Sequence, residues 1–189
     1  IKGDILVTGT FYSTAIDWDN TIVVNPYENE SNGIYLGKLN TQGELLWTNK
    51  IFRAPGNSST SIYFNDADLN ALGESFVSGH VYYNGIIVDS VIYIAHYNNN
   101  NTVDWAKLVQ GHVENIHGQL TNNGDLLISG DYQINGYLDT LTIDDLTITC
   151  PPSVYFCSFW GLLNLEGDAQ WLYNIAEQDI SVTTKYITN

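Results

Sequence analysis

The chain has 189 residues, of which 44% are hydrophobic, and its six Lys and Arg against 21 Asp and Glu give a formal net charge of −15. This charge excludes a nucleic-acid partner and disfavours an anionic membrane surface, because both require cationic groups on the protein. No apolar run approaches the roughly 20 residues of a membrane-spanning helix, so we expect no membrane insertion. The chain contains no Met, and we expect a processed chain or a segment of a longer one.

One sequence pattern occurs three times, in copies that span about 1–55, 56–111 and 112–178. Each copy opens with a hydrophobic run that ends in Gly and closes with a run that contains Trp. The corresponding residues are Gly9, Gly79 and Gly130, and Trp47, Trp105 and Trp171. The runs are short, rich in Val, Ile, Tyr, Phe and Thr, and separated by Gly or Asn turns, which is typical of β-hairpins. The sequence therefore predicts four antiparallel strands per copy and almost no helix.

In chain order, each copy has a first, second, third and fourth predicted strand. The first strands are 61–70 and 113–120, the second are 5–11, 75–81 and 126–132, the third are 34–39, 91–97 and 155–163, and the fourth are 45–51, 103–109 and 170–175. Residues 179–189 look like the first strand of a further copy. We expect this segment either to begin another blade or to pair with residues 5–11 and close a ring.

The copies differ between their second and third strands, where insertions cover residues 17–32, 82–89 and 133–154. Repeat proteins keep a constant strand frame and carry function on loops that vary. These insertions are therefore predicted to hold the functional residues.

Two cysteines, Cys150 and Cys157, flank a segment that contains a Pro-Pro turn. Their spacing predicts a short loop closed by a disulfide, which would place the chain in an oxidising compartment. Free thiols and a metal site are the alternatives, although a metal site would need further ligands that are not nearby in the sequence.

Six aromatic residues fall on predicted loops: Trp18, Tyr27, Tyr82, Tyr83, Tyr137 and Tyr155. Aromatic faces beside acids and amides suit sugar rings or protein partners, so we predict a binding role. The alternative is that these rings pack within the loop layer of the fold.

Asp17, Asp19 and Asn20 surround Trp18, and their oxygens could share a Ca²⁺ with backbone carbonyls. The spacing of an EF-hand is absent, and a solvated acidic turn is the alternative. Asp66 and Asp68 are weaker candidates of the same kind, and no other cofactor is expected. The sequence contains neither G-x-S-x-G nor H-E-x-x-H, so it predicts a protein that is not an enzyme.

The stretches from Gly3 to Gly9 and from Lys38 to Trp47 resemble the SBBP-type β-propeller repeats of secreted Bacteroidota proteins. The resemblance extends over essentially the whole chain and implies an all-β, β-propeller-like array of four-stranded blades. Three copies are fewer than the roughly four to eight blades of a closed propeller, so we expect part of a larger one. The resemblance further implies type IX secretion and roles in adhesion or matrix formation.

Asp89-Ser90-Val91 and Asp139-Thr140-Leu141 resemble the Asp-Ser/Thr-aliphatic acceptor of O-glycosylation in Bacteroidota. Ser90 and Thr140 are therefore predicted glycosylation sites.

Together these features predict a non-catalytic, secreted or cell-surface module that acts in binding, adhesion or display, with a protein or glycan at the cell surface as its partner. Two alternatives remain. One is a structural subunit of a larger surface assembly, and the other is a carbohydrate-active propeller enzyme with acids from different blades.

Overall fold

The computed structural model describes residues 3–11, 15–18, 21–24, 33–51, 60–83, 86–100, 102–133, 140–151 and 154–175. All regular structure in these ranges is β-strand, which confirms the all-β prediction. The strands are β1 (Ile5–Phe11), β2 (Ala15–Trp18), β3 (Thr21–Val24), β4 (Gly33–Leu39), β5 (Leu45–Ile51), β6 (Thr60–Leu69), β7 (Ser75–Tyr83), β8 (Ile86–Tyr97), β9 (Val103–Val109), β10 (Val113–Leu120), β11 (Leu126–Gln133), β12 (Thr140–Ile143), β13 (Leu146–Thr149), β14 (Phe156–Leu163) and β15 (Ala169–Ile175). Over the same ranges, we find no helix that is long and apolar enough to cross a bilayer.

The strands form three main sheets, one for each copy of the sequence pattern. Sheet one has the strand order β1-β4-β5, sheet two β6-β7-β8-β9 and sheet three β10-β11-β14-β15, and all neighbouring strands are antiparallel. Two hairpins, β2-β3 and β12-β13, are inserted between the second and third strands of copies one and three. Sheets two and three confirm the predicted four-stranded repeat. The segment 179–189, predicted as a first strand, lies outside the described residues.

The glycine that ends the opening run lies opposite an aromatic residue in every sheet. The pairs are Gly9 with Tyr35, Gly79 with Tyr93, and Gly130 with Phe159. A Cβ on Gly9 would lie 2.7 Å from the Tyr35 hydroxyl oxygen. Glycine therefore leaves the space in which the ring of the neighbouring strand crosses the backbone.

Tight turns of one design join the strands. Asn40, Asn70, Thr121 and Asn164 each begin a turn that closes four residues later through a backbone hydrogen bond of 2.8–3.0 Å. The glycines in these turns, Gly43, Gly73, Gly124 and Gly167, have φ between +82° and +86°. Glycine adopts this positive φ without steric cost.

Consecutive sheets pack face to face around two apolar cores. The core between sheets two and three contains Phe76, Ile92, Ile94, Ile116, Ile128 and Phe159, all 0% exposed. The core between sheets one and two contains Leu36, Val77, Tyr93, Ala95 and Tyr97. Each sheet therefore buries a face against its neighbour in chain order, and sheet two buries both of its faces.

A ladder of hydrogen bonds joins the first strands of sheets two and three. The Asp66 carboxylate accepts a bond of 3.1 Å from the Gly118 amide, the Asp68 carboxylate one of 2.8 Å from the Leu120 amide, and the Asn70 side chain donates one of 3.1 Å to the Thr121 carbonyl. These side chains lie two residues apart, so the alternation of a strand places them on one face. They satisfy backbone groups at the edge of β10 that its own sheet leaves unpaired.

The fourth strand of sheet two contacts sheet three through Trp105. Its indole nitrogen donates a hydrogen bond of 3.0 Å to the Leu165 carbonyl, and a Cβ on Gly167 would lie 2.5 Å from its ring. Trp105 therefore covers part of the gap between sheets two and three.

Candidate binding site

The disulfide between Cys150 and Cys157 forms the base of a short loop on sheet three. Both cysteines are buried, and their Cα atoms lie 5.9 Å apart. Cys150 directly follows β13, and Cys157 lies in β14 opposite Tyr132 of β11. The bridge confirms the predicted disulfide and ties the inserted hairpin to the central strands of sheet three.

Within the loop, one residue points inward and the next two point outward. The Val154 amide donates a hydrogen bond of 3.0 Å to the Pro151 carbonyl, and the Val154 side chain packs against the core between sheets two and three. Tyr155 is 73% exposed and Phe156 is 54% exposed, with ring centroids 6.3 Å apart. We call these two residues the Tyr155 pair.

The geometry of the Tyr155 pair suits contact with a ligand. Two exposed rings inclined at 49° offer an apolar surface with one hydroxyl group. The disulfide and the half-buried Val154 hold the residues beside the Tyr155 pair, so little conformational entropy is lost when a ligand binds. Such a surface can stack on a sugar ring or bury an apolar side chain of a protein.

The other predicted aromatic residues divide into two groups. Tyr27 and Tyr137 lie outside the described residues. Trp18 lies in β2 opposite Thr21, and Tyr82 and Tyr83 lie in β7, so their prediction as loop residues was wrong. In copy two the apolar run that begins at Ile86 continues the pairing of β7 with β8, so the hairpin extends through Tyr83.

The predicted calcium site is described only in part. Asp17 is exposed in β2 opposite Ile22, while Asp19 and Asn20 lie outside the described residues. Across the part of the chain that the structure describes, no group of three or more His, Cys, Asp or Glu side chains converges as metal ligands. A calcium ion at Asp17, Asp19 and Asn20 stays a prediction.

The predicted glycosylation residues lie in strands. Ser90 lies within β8, and Thr140 is the first residue of β12, opposite Thr149. Glycosylation of either residue stays a prediction.

Sequence reasoning missed Phe156 and an ion pair between sheets two and three. The Lys107 ammonium lies 2.6 Å and 2.7 Å from the two carboxylate oxygens of Asp144. Asp144 occupies the turn between β12 and β13 with φ of 53°, and it also accepts a bond of 2.9 Å from the Ala169 amide. The two partners are 37 residues apart in sequence, and no local pattern connects them.

The Lys107–Asp144 pair makes stability depend on pH. Burial raises the pKa of Asp144, but the Lys107 hydrogen bond, the Ala169 amide and the Lys107 charge outweigh burial and lower it. A carboxyl whose pKa is lowered by folding contributes stability above its unfolded pKa, and this contribution is lost as pH falls through the folded value. We expect Asp144→Asn to reduce the free energy of unfolding by about 1 kcal/mol at pH 7 and to have no effect once Asp144 is protonated in both states.

Urea unfolding at pH 7 and at about pH 2.5 measures this difference. Asn also adopts the left-handed conformation of the turn, so the variant retains the local backbone. Asp145→Asn is the matched control, because it removes a charge from the same turn but leaves the Lys107 bond. An equal effect of Asp144→Asn at both pH values would contradict the prediction.

Reduction of the disulfide is expected to lower the free energy of unfolding by about 2–3 kcal/mol, because opening so short a loop increases the entropy of the unfolded chain. Urea unfolding with and without dithiothreitol measures the loss. The double variant Cys150→Ala/Cys157→Ala is the control, and its unfolding should not respond to the reductant. An unchanged midpoint for the reduced natural chain would show that the bridge does not stabilise the fold.

No protein-family model and no curated protein matches this chain.

Proposed function

We propose that the chain is a non-catalytic, extracellular module of the β-propeller type, which binds a protein or a glycan at a cell surface through its loops. The observation that carries the proposal is the Tyr155 pair, with Tyr155 73% exposed on a loop tied by the disulfide. The residues that repeat in all copies, by contrast, pack within and between the sheets. Binding is therefore assigned to residues in which the copies differ.

The propeller arrangement is part of this proposal. Four-stranded antiparallel sheets that pack face to face in chain order are the units of which propellers are built. The resemblance of the repeat to the SBBP type supports the same arrangement, in which further four-stranded sheets would complete a larger propeller.

Secretion is supported by the disulfide, since disulfides persist in oxidising compartments. The net charge of −15 is compatible with an acidic extracellular protein. The SBBP resemblance adds type IX secretion, adhesion and O-glycosylation at Ser90 and Thr140. The non-catalytic role rests on the sequence, in which common hydrolase and metalloprotease motifs are missing.

A glycan array and a pull-down from intact cell surfaces, both with the purified chain, test the proposal. We expect Tyr155→Ala to weaken retention about tenfold or more, as for an aromatic residue that dominates an interface. Leu108→Ala is the matched control, because Leu108 is 53% exposed but lies in β9 of sheet two, outside the loop. Retention of Tyr155→Ala equal to that of the natural chain, or no ligand in either assay, would overturn the proposal.

A further inference from the structure

Each contact between sheets joins two kinds of face. We call the face that a sheet turns toward the next sheet in chain order its forward face, and the opposite face its backward face. The forward face of sheet two presents Phe76, Ile94 and His96, and the backward face of sheet three presents Leu126, Ile128 and Leu163. Those six residues are at most 1% exposed.

The forward face of sheet three has the same design but is not buried to the same degree. The shared register places Leu127, Trp160 and Leu162 where sheet two has Phe76, Ile94 and His96. All three are half-buried, whereas their counterparts in sheet two are 0% exposed. Sheet three therefore carries an apolar forward face that is only partly covered.

The backward face of sheet one is likewise apolar and only partly buried. Ile5, Val7 and Leu39 occupy the positions that Leu126, Ile128 and Leu163 hold in sheet three. Ile5 is 49% exposed, and Val7 and Leu39 are half-buried. Sheet one therefore carries an apolar backward face that is also only partly covered.

The contact between a Trp and a glycine turn shows that these faces match each other. Between sheets two and three, the Trp105 ring covers Gly167, where a Cβ would lie 2.5 Å away. Trp171 is the equivalent residue on the forward face of sheet three, and Gly43 is the equivalent glycine in sheet one. A Cβ on Gly43 would meet no atom within 4 Å. Both halves of the contact are present, and among the residues that the structure describes no ring covers Gly43 as Trp105 covers Gly167.

We propose that the forward face of sheet three binds the backward face of sheet one of a second copy of this chain, head to tail, with Trp171 of one copy over Gly43 of the other. We choose a second copy as the partner because its two faces match, position by position, the two faces that already pack together within one chain. Such an interface uses different surfaces on the two partners, so it can extend beyond a dimer. The inference concerns the sheet faces and does not depend on which ligand the Tyr155 pair binds, but the two surfaces adjoin, because Phe156 lies on the same face of β14 as Trp160 and Leu162.

Charge sets the conditions for this association. Each copy carries a net charge of −15, so copies repel one another at low ionic strength. Salt screens this repulsion without weakening apolar contact, and the association should therefore strengthen between about 0.05 and 0.5 M NaCl.

Sedimentation velocity of the whole chain, over a range of protein concentrations at both salt levels, tests the proposal. We expect species larger than a dimer at high concentration in high salt. Gly43→Asn should weaken association about tenfold or more. Asn accepts the left-handed conformation and meets open space in the single copy, but it blocks the site of Trp171. Trp171→Ala removes the other half of the contact, and Tyr173→Asp places a charge on the same face at a residue that is 65% exposed.

A mixture of Gly43→Asn and Trp171→Ala distinguishes head-to-tail binding from other modes. Each variant retains the half that the other lacks, so the equimolar mixture should form a dimer and stop there, while each variant alone stays monomeric. Asp145→Asn, a change at an exposed residue of the turn between β12 and β13 and outside both faces, is the control and should assemble like the natural chain. A natural chain that stays monomeric at every concentration and salt level would overturn the proposal, as would assembly of Gly43→Asn like the natural chain or a monomeric mixture. Ligand retention by Gly43→Asn is measured separately, so a failure of assembly and a failure of loop binding remain distinct.

Discussion

Phe76→Ala is expected to lower the free energy of unfolding by about 3–5 kcal/mol, one of the two largest effects of a single substitution in this chain. The Phe76 side chain is 0% exposed at the centre of the core between sheets two and three. Its ring lies against Gly118 of β10, so closely that a Cβ on that glycine would overlap it. Removal of the ring leaves a cavity between sheets two and three. Hydrogen bonds hold the strands of both sheets in place, so the cavity collapses only in part.

Urea unfolding of Phe76→Ala and Leu127→Ala measures the effect with an internal control. Leu127 holds the same position in sheet three, but it is only half-buried. Leu127→Ala should therefore cost less, about 1–2 kcal/mol. Equal losses for the two variants would mean that the forward faces of sheets two and three are covered equally, which contradicts the structure.

Gly130→Ala is expected to cost about 3 kcal/mol or more, because the added methyl group has no space. A Cβ at this position would overlap the carbonyl oxygen of Asn115 and lie 2.9 Å from the Phe159 ring. The carbonyl belongs to β10, whose backbone is fixed by pairing with β11 and by the ladder from β6. Relief of the overlap would require a shift of β10, which is hydrogen-bonded both to β11 of its own sheet and to side chains of β6 in sheet two.

Gly161→Ala in the same sheet is the matched control. Its Cβ would lie 3.0 Å from Cδ1 of Leu172 and 3.2 Å from Cδ1 of Ile128, the ends of the two side chains. These side chains can rotate, so the expected loss is about 1 kcal/mol. The two midpoints in urea are compared, and a Gly130→Ala variant as stable as Gly161→Ala would show that β10 can move away.

The repeat made much of the fold predictable from the sequence. Gly9, Gly79 and Gly130 occupy the same position in each copy, so they show which residues of each strand share a face. The observed pairing of these glycines with Tyr35, Tyr93 and Phe159 agrees with that alignment. Turn glycines with positive φ were also predictable, since few other residues tolerate that conformation. Both signals are local and depend on backbone geometry alone.

Contacts between the sheets were not predictable in the same way. Asp66 and Asp68 were weak calcium candidates in the sequence, whereas in the structure they bind backbone amides of β10, 52 residues further on. Their role depends on which edge of the next sheet faces them. A carboxylate on an alternating strand has the same sequence pattern whether its partner is water, an ion or an amide.

The disulfide at the base of the candidate site was predictable from the sequence, but the exposure of Phe156 was not. Two cysteines separated by a Pro-Pro turn were enough to predict the bridge and to place Tyr155 on a loop. Phe156 was assigned to a strand, and it does begin β14, but at the strand's exposed first position. Side chains alternate between the two faces of a strand, and the sequence alone does not say which face is exposed to solvent at the first residue.

Amide hydrogen exchange at Gly118 and Leu120 most directly tests the central claim, that consecutive sheets dock through the ladder between their first strands. Both amides donate to carboxylates of β6, so we expect strong protection in the native chain. Asp68→Ala should accelerate exchange at Leu120 by about tenfold or more and leave the amides that pair β10 with β11 protected. Exchange of Gly118 and Leu120 at the rate of an unstructured chain, in the otherwise folded protein, would contradict the docked arrangement.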